Sequence, residues 1–135
     1  MTDGPAGFTK RIEIRWTDLD MLGHLNQAVY HEYLEEARGA LFEQLGMLGD
    51  FAFVLARVEL DYRHEVRKDH GHVEVLVRPE KVGRTSITLH NTVLLPDGTV
   101  AADGSAVLVA WDPERRTKRE LTDLERGGLV GVRTP

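Results

Sequence analysis

The residues best suited to chemistry lie between positions 17 and 30, in the sequence TDLDMLGHLNQAVY. Two carboxylates, Asp18 and Asp20, are followed closely by His24 and Asn26. Carboxylate and imidazole groups act as nucleophiles, general bases and general acids, and an amide can orient a carbonyl or a water. The chain has no cysteine, and neither of its serines lies in a Gly-x-Ser-x-Gly sequence. We therefore expect the chemistry to depend on a carboxylate.

This cluster lies between a predicted strand and the only long predicted helix. Residues 11–16 alternate between apolar and charged side chains, which predicts a half-buried strand with Trp16 on the buried side. Asn26 is a suitable N-cap, and Gly46 or Gly49 can end a helix, so we expect a helix at about 27–45. Its first turn offers unpaired N–H groups and a partial positive charge, which would stabilise an oxyanion. The side chains predicted to be buried along it are Tyr30, Tyr33, Leu34, Ala37, Leu41 and Leu45.

The remainder of the chain predicts strands, at about 53–66, 73–82, 84–95 and 100–111. Pro96-Asp97-Gly98 predicts a type I′ hairpin, residues 68–71 predict a turn, and Val82-Gly83 predicts a kink.

One strand, a long helix and about four further strands predict the α+β class. The economical arrangement is a five-stranded antiparallel sheet wrapped around the helix, in a single domain over residues 1–135. The tail after about residue 120 contains three glycines and has little to pack, so we expect it to fray.

The motif Asp-x-Asp-x-x-Gly-His-x-Asn at 18–26, followed by Tyr30 and by YLEEAR at 33–38, resembles the 4-hydroxybenzoyl-CoA thioesterase branch of the hotdog superfamily. The resemblance continues in VELDY at 58–62 and VGRTS at 82–86, so it covers most of the chain. Gln27 is a departure, because many relatives carry a second Asn at that place.

The resemblance implies hydrolysis of an acyl-CoA thioester to a free acid and CoA. Asp20 would act either as the nucleophile or as the general base for water, while His24 and Asn26 would orient water or the carbonyl. Another branch of the superfamily uses a glutamate on the helix, which makes Glu36 the alternative catalyst. CoA is then part of the substrate, and no separate cofactor is expected.

Basic residues could bind the CoA phosphates, since arginine pairs well with phosphate. The candidates are Arg84, Arg115 and Arg116. His70 and His72 have the spacing of a metal pair but lack an obvious third ligand nearby, so we expect no metal site.

Composition limits the partners. A formal net charge of −5 argues against nucleic-acid binding, and no apolar run is long enough to span a membrane. With no recognisable secretory signal, a cytoplasmic location is the default expectation.

A single sheet with open edges favours a homodimer or a homotetramer, and the resemblance points to active sites at the subunit interface. Two other functions remain open: a hotdog hydratase or dehydratase, and an acyl-CoA-binding protein without catalysis.

Overall fold

The computed structural model describes residues 7–47 and 53–133, with the backbone alone at residue 133. The strands are β1 Phe8–Glu13, β2 Phe53–Tyr62, β3 His72–Val82, β4 Ser86–Leu94, β5 Val100–Asp112 and β6 Thr117–Lys118. The helices are α1 Gln27–Gln44 and α2 Asp123–Arg133, with short 3₁₀ turns at Trp16–Asp18 and Lys68–His70.

The five long strands form one antiparallel sheet in the order β1-β3-β4-β5-β2, and the two-residue β6 pairs with β5. This confirms the predicted α+β class. Helix α1 begins beside the end of β2, where Tyr30 packs edge-on against Tyr62, and ends beside the start of β2, where Phe42 stacks on Phe53. Helix α1 and β2 therefore run in opposite directions, and the N-terminus of the helix lies at the end of β2.

Helix α1 matches its prediction closely. The Asn26 side chain accepts a hydrogen bond from the Ala28 N–H at 2.9 Å, which is the expected N-cap. Gly46 has a φ of +71° just after the helix, the left-handed conformation that glycine adopts at little cost. Gly49 lies outside the described residues. Most of the predicted stripe is buried, Leu45 is half-buried, and Arg38 is an unpredicted buried member.

The expected fraying of the tail after residue 120 is wrong. Helix α2 covers this segment, and Leu129 is fully buried. Thr122 and Glu125 form a reciprocal cap: the Glu125 N–H donates to Thr122 Oγ1, and the Thr122 N–H donates to Glu125 Oε1. Glu125 also accepts two hydrogen bonds from Arg119 at 2.8 and 2.9 Å. The Thr-x-x-Glu pattern was visible in the sequence as a capping box.

Three local predictions need correction. The Pro96-Asp97-Gly98 hairpin exists, but only Gly98 has a positive φ, +90°, so the turn is not type I′. Gly83 belongs to a turn that closes the β3–β4 hairpin, since its N–H donates to Ser86 O, rather than to a kink within a strand. Trp16 is 78% exposed, because the chain leaves β1 after Glu13 and enters a 3₁₀ turn.

A buried carboxylate joins the loop after β1 to helix α1. Asp18 is only 6% exposed, and its Oδ2 accepts hydrogen bonds from the Tyr33 hydroxyl at 2.5 Å and from Arg15 Nε and N at 3.0 and 3.1 Å. Burial alone would raise the pKa of Asp18, but these donors outweigh it and hold the pKa below its usual value. Asp18 therefore has a structural part, because it links the loop to the helix.

Within the described residues, no helix combines the length and the apolar character needed to cross a bilayer.

We predict that Asp18→Asn lowers the free energy of unfolding by about 2 kcal/mol at neutral pH, the scale of hydrogen bonds to a charged group. Because the folded pKa is depressed, this stabilisation is present above about pH 4 and is lost as the pH falls through the folded value. Urea titrations of the wild type and the variant should therefore converge in acid. Glu43→Gln, at an exposed helix position, is the control and should change little; a pH-independent difference for Asp18→Asn would contradict the prediction.

Candidate active site

The Asp-x-x-Gly-His spacing folds into a tight turn that brings Asp20 beside His24. Leu19 and Leu25 form an antiparallel bridge, the Asp20 N–H donates to His24 O at 3.0 Å, and the Gly23 N–H donates to Asp20 O at 3.1 Å. Gly23 closes the turn with a φ of +82°, which a residue with a Cβ rarely adopts. The spacing of the motif therefore follows from the geometry of this turn.

The Asp20 carboxylate is held at both oxygens yet remains accessible. Its Oδ1 accepts a hydrogen bond from the Leu22 N–H at 2.9 Å, and its Oδ2 lies 3.3 Å from His24 Nδ1. The two side chains are 28% and 33% exposed, so each can meet a ligand. Two of the predicted site residues thus form one pair.

The start of α1 leaves one backbone donor unused. The Ala28 N–H is taken by the Asn26 side-chain oxygen, and the Val29 N–H donates to Asn26 O at 2.9 Å. No partner for the Gln27 N–H is found in the part of the chain that the structure describes. The Gln27 N–H is therefore the donor available to an oxyanion, while the oxygen of the Asn26 amide is committed to capping the helix.

A second wall of the site comes from the segment after β2. The Leu25 N–H donates to Val66 O at 2.6 Å, and His24 bridges Arg67 in antiparallel fashion. This pairing holds residues 66 and 67 beside the residues that lead into α1. The segment therefore faces the same end of α1 as Asp20.

These two walls enclose a cleft of about 550 Å³. It is lined by Asp20, His24, Leu25, Asn26, Gln27, Tyr30, Tyr62, Arg63, His64 and Glu65. The Tyr62 hydroxyl donates to Gln27 O at 3.3 Å, so the end of β2 is tied to the helix start. Burial raises the pKa of Tyr30 to about 12, which keeps its hydroxyl protonated at neutral pH.

A second cleft, of about 710 Å³, meets the first at Asp20 and Asn26. Its other lining residues are Trp16, Thr17, Leu19, Met21 and Gly23. Trp16 and Met21 are both largely exposed, and they give this side an apolar surface. Of the two clefts, the first is the more polar and the second the more apolar, and Asp20 lies between them.

The alternative catalyst and the predicted phosphate ligands lie elsewhere. Glu36 is exposed on α1, lines neither cleft and is close enough to Arg15 to help raise the pKa of that guanidinium. Arg84 pairs with Glu120 at 3.0 Å, beyond the Asp112 end of β5.

Arg115 and Arg116 occupy the turn between β5 and β6. Tyr62, at the cleft, pairs with Ala102 near the opposite end of β5. At about 3.3 Å per residue, the Asp112 end of β5, which these arginines follow, is roughly 30 Å from Ala102. Within one chain, these arginines and the cleft are therefore not brought together.

No site role was predicted from the sequence for Tyr62, His64 or Glu65, which the end of β2 supplies to the cleft. Tyr62, Arg63, His64 and Glu65 line the cleft, and Arg63 is its arginine, paired with Asp103 at 2.6 Å. The run of polar residues after VELDY was the available signal, although nothing local showed that it faces the helix start. His70, considered for a metal pair, instead accepts a hydrogen bond at Nδ1 from the Arg67 N–H at 2.8 Å.

Comparison with known proteins gives the class. Residues 14–125 match the family model of the thioesterase-like superfamily. A thioesterase from Thermus thermophilus, solved with coenzyme A and Zn, is 34% identical, with a TM-score of 0.83 over 96% of this chain and 98% of that one.

Two curated bacterial proteins are also similar. The long-chain acyl-CoA thioesterase FadM of Escherichia coli is 29% identical over 107 residues, which is 76% of this chain and 81% of FadM. The uncharacterized protein YsmA of Bacillus subtilis is 28% identical over 129 residues, which is 93% of this chain and 87% of YsmA.

The chain therefore belongs to the thioesterase-like superfamily and has the hotdog fold. Its enzyme class is thioester hydrolase.

We predict that the Asn26 cap contributes measurably to the stability of the protein. Asn26→Ala should lower the free energy of unfolding by about 1 kcal/mol, because the Ala28 N–H loses its acceptor. Asn26→Asp keeps an acceptor oxygen and should retain most of that stability, as measured by urea denaturation. Equal stability of the Ala variant and the wild type would show that the cap contributes nothing.

Proposed function

We propose that the protein hydrolyses acyl-CoA thioesters, with Asp20 as the catalytic carboxylate. The observation that carries the proposal is the accessible Asp20 carboxylate in the same cleft as Gln27, whose N–H has no partner among the described residues at the helix start. The similarity to FadM and to a thioesterase that binds coenzyme A supports the choice of CoA as the thiol.

In the proposed reaction, the substrate carbonyl lies at the start of α1, and the Gln27 N–H stabilises the oxyanion. Asp20 either attacks the carbonyl carbon to form a mixed anhydride or takes a proton from an attacking water. Both routes use water and the protein's own side chains, so we propose no cofactor.

His24 would act mainly on Asp20 and on the attacking water. Its Nδ1 lies 3.3 Å from Asp20 Oδ2, so it fixes the direction of the carboxylate. The Asn26 amide nitrogen remains available to orient the carbonyl, since only the amide oxygen caps the helix.

The two clefts suggest how a thioester lies across Asp20. A thioester has an apolar acyl end and a polar pantetheine end, and the clefts differ in the same way. We place the acyl group along Trp16 and Met21, and the pantetheine arm along the cleft of Arg63 and His64. This is the orientation that buries apolar surface against apolar surface.

We also propose a homodimer or homotetramer in the cytoplasm. Edge strand β2 carries Val54 and Leu55, which are each more than 40% exposed, and its outer edge pairs with no strand of the described chain. An unpaired, apolar edge of this kind favours association with a second copy. The end of β2 also lines the cleft, so a second copy would come close to the site.

We predict that Asp20→Asn lowers kcat for thiol release from acyl-CoAs by at least about 100-fold, because the amide can neither take a proton nor attack. Glu36→Gln removes a carboxylate that lines neither cleft, and it should keep kcat within about threefold. Thiol release can be followed with a chromogenic disulfide.

Selective loss in Glu36→Gln would instead assign catalysis to the helix glutamate. Absence of thiol release from every acyl-CoA tested, by a folded protein, would favour the hydratase or binding alternatives. Addition of water to an enoyl-CoA would then separate those two.

We predict that Trp16→Ala reduces the preference for long acyl chains. The ratio of kcat/KM for octanoyl-CoA to that for acetyl-CoA should fall about 10-fold, roughly the value of one or two buried methylene groups. Leu124→Ala removes a large apolar side chain, 57% exposed, on the distant helix α2 and serves as the matched control. An unchanged ratio in Trp16→Ala would exclude the proposed direction of the acyl group.

A further inference from the structure

We infer that His64 is a further catalytic residue, which protonates the sulfur of the departing thiolate. The inference rests on the proposed thioester hydrolysis and concerns its second half, in which the carbon–sulfur bond breaks. In the proposed reaction, Asp20 and His24 act on the attacking water, and no residue has been given a part in this step.

The position of His64 suits the leaving group. It lines the polar cleft together with Asp20 and Asn26, and it is not among the residues that line the apolar cleft. The Leu25 N–H donates to Val66 O, and His24 forms a bridge with Arg67, so the segment after His64 runs beside the chain that leads into α1. His64 also lines the same cleft as Gln27, whose N–H is the proposed oxyanion donor. A tetrahedral carbon held at Gln27, with its acyl group toward Trp16, would therefore direct its sulfur toward His64.

The ring of His64 is held in a way that suits proton donation. Its Nδ1 lies 2.8 Å from Glu65 O, and because a carbonyl can only accept, Nδ1 carries a hydrogen. For Nε2 no partner is found among the described residues. The imidazole is thus oriented through one nitrogen, while the other is available to a ligand.

The proposed step balances without any further reactant. Addition of the hydroxyl of water to the carbonyl carbon gives the tetrahedral oxyanion, and Asp20 takes the proton of that water. When the oxyanion collapses, the carbon–sulfur bond breaks and the sulfur takes the Nε2 proton of the imidazolium. The products are the acid and the thiol; protonated Asp20 then loses its proton to solvent, and neutral His64 regains one from solvent.

His24 does not replace His64 in this step. His24 Nδ1 is directed at Asp20 Oδ2, so its ring acts on the carboxylate that starts the reaction. Glu65 is also less suitable, because its carboxylate is engaged by the Arg67 guanidinium, with Nη1 donating at 3.2 Å. His64 is the remaining imidazole of the cleft lining.

The test compares two thioesters of the same acid with different leaving groups. Octanoyl-CoA releases CoA, an alkyl thiol of high pKa. Octanoyl 4-nitrothiophenyl thioester releases a much more acidic thiol, which needs no proton to depart. His64→Asn should lower kcat for the CoA thioester by about 100-fold, the usual scale of general acid catalysis. It should lower kcat for the nitrothiophenyl thioester by less than about threefold.

Three other variants give the comparison. His24→Asn should lower kcat for both thioesters, because His24 acts before the sulfur leaves. His64→Gln should repeat the His64→Asn pattern, which would show that the effect does not come from a folding defect of one variant. His90→Asn, on strand β4 and outside the cleft, is the matched control and should change neither rate.

Equal losses on both thioesters in a folded His64 variant, or no loss on either, would overturn the inference while leaving the thioesterase function intact. Failure of the wild type to release thiol from any acyl-CoA would instead overturn the proposed function, and the inference with it.

Discussion

The site depends on one buried carboxylate that does no chemistry. Asp18 receives hydrogen bonds from Arg15, where the chain leaves β1, and from Tyr33 in the middle of α1. Its backbone oxygen also accepts from the Asn26 N–H at 3.0 Å, directly before the helix. The loop that carries Asp20 is thereby fixed at both ends to the helix. The first aspartate of the Asp-x-Asp pair thus positions the second.

Features encoded in a short stretch of chain were predictable from the sequence. The N-cap at Asn26, the left-handed Gly46 and the burial of the α1 stripe each depend on residues a few positions apart. The pairing of Asp20 with His24 follows from the same kind of local rule, since a turn closed by Gly23 brings them together. Helix α2 was missed although its capping box was equally local.

Features that depend on distant parts of the chain were not predictable in this way. His64 lines the same cleft as Gln27, and the segment that follows His64 is held there by the bridge between His24 and Arg67, a contact across about forty residues. Asn91 is a different case: it is buried on the core face of β4, and neither side-chain polar atom has a hydrogen-bond partner among the described residues. Burial of an unpaired amide is unfavourable, so the burial of Asn91 could not be predicted from its residue type.

In the proposed reaction, the difference between the two clefts allows substrate binding to assist the catalytic groups. In the proposed binding mode, a thioester that spans Asp20 would gain binding energy from apolar contact on one side and polar contact on the other, and both contacts would lie away from the reacting bond. Binding energy from such remote contacts can hold the carbonyl at the Gln27 N–H against the loss of its motional freedom. A single carboxylate, one backbone donor and the nearby imidazoles can then suffice for hydrolysis. The apolar side chains around the turn would then belong to the proposed active site as much as the carboxylate does.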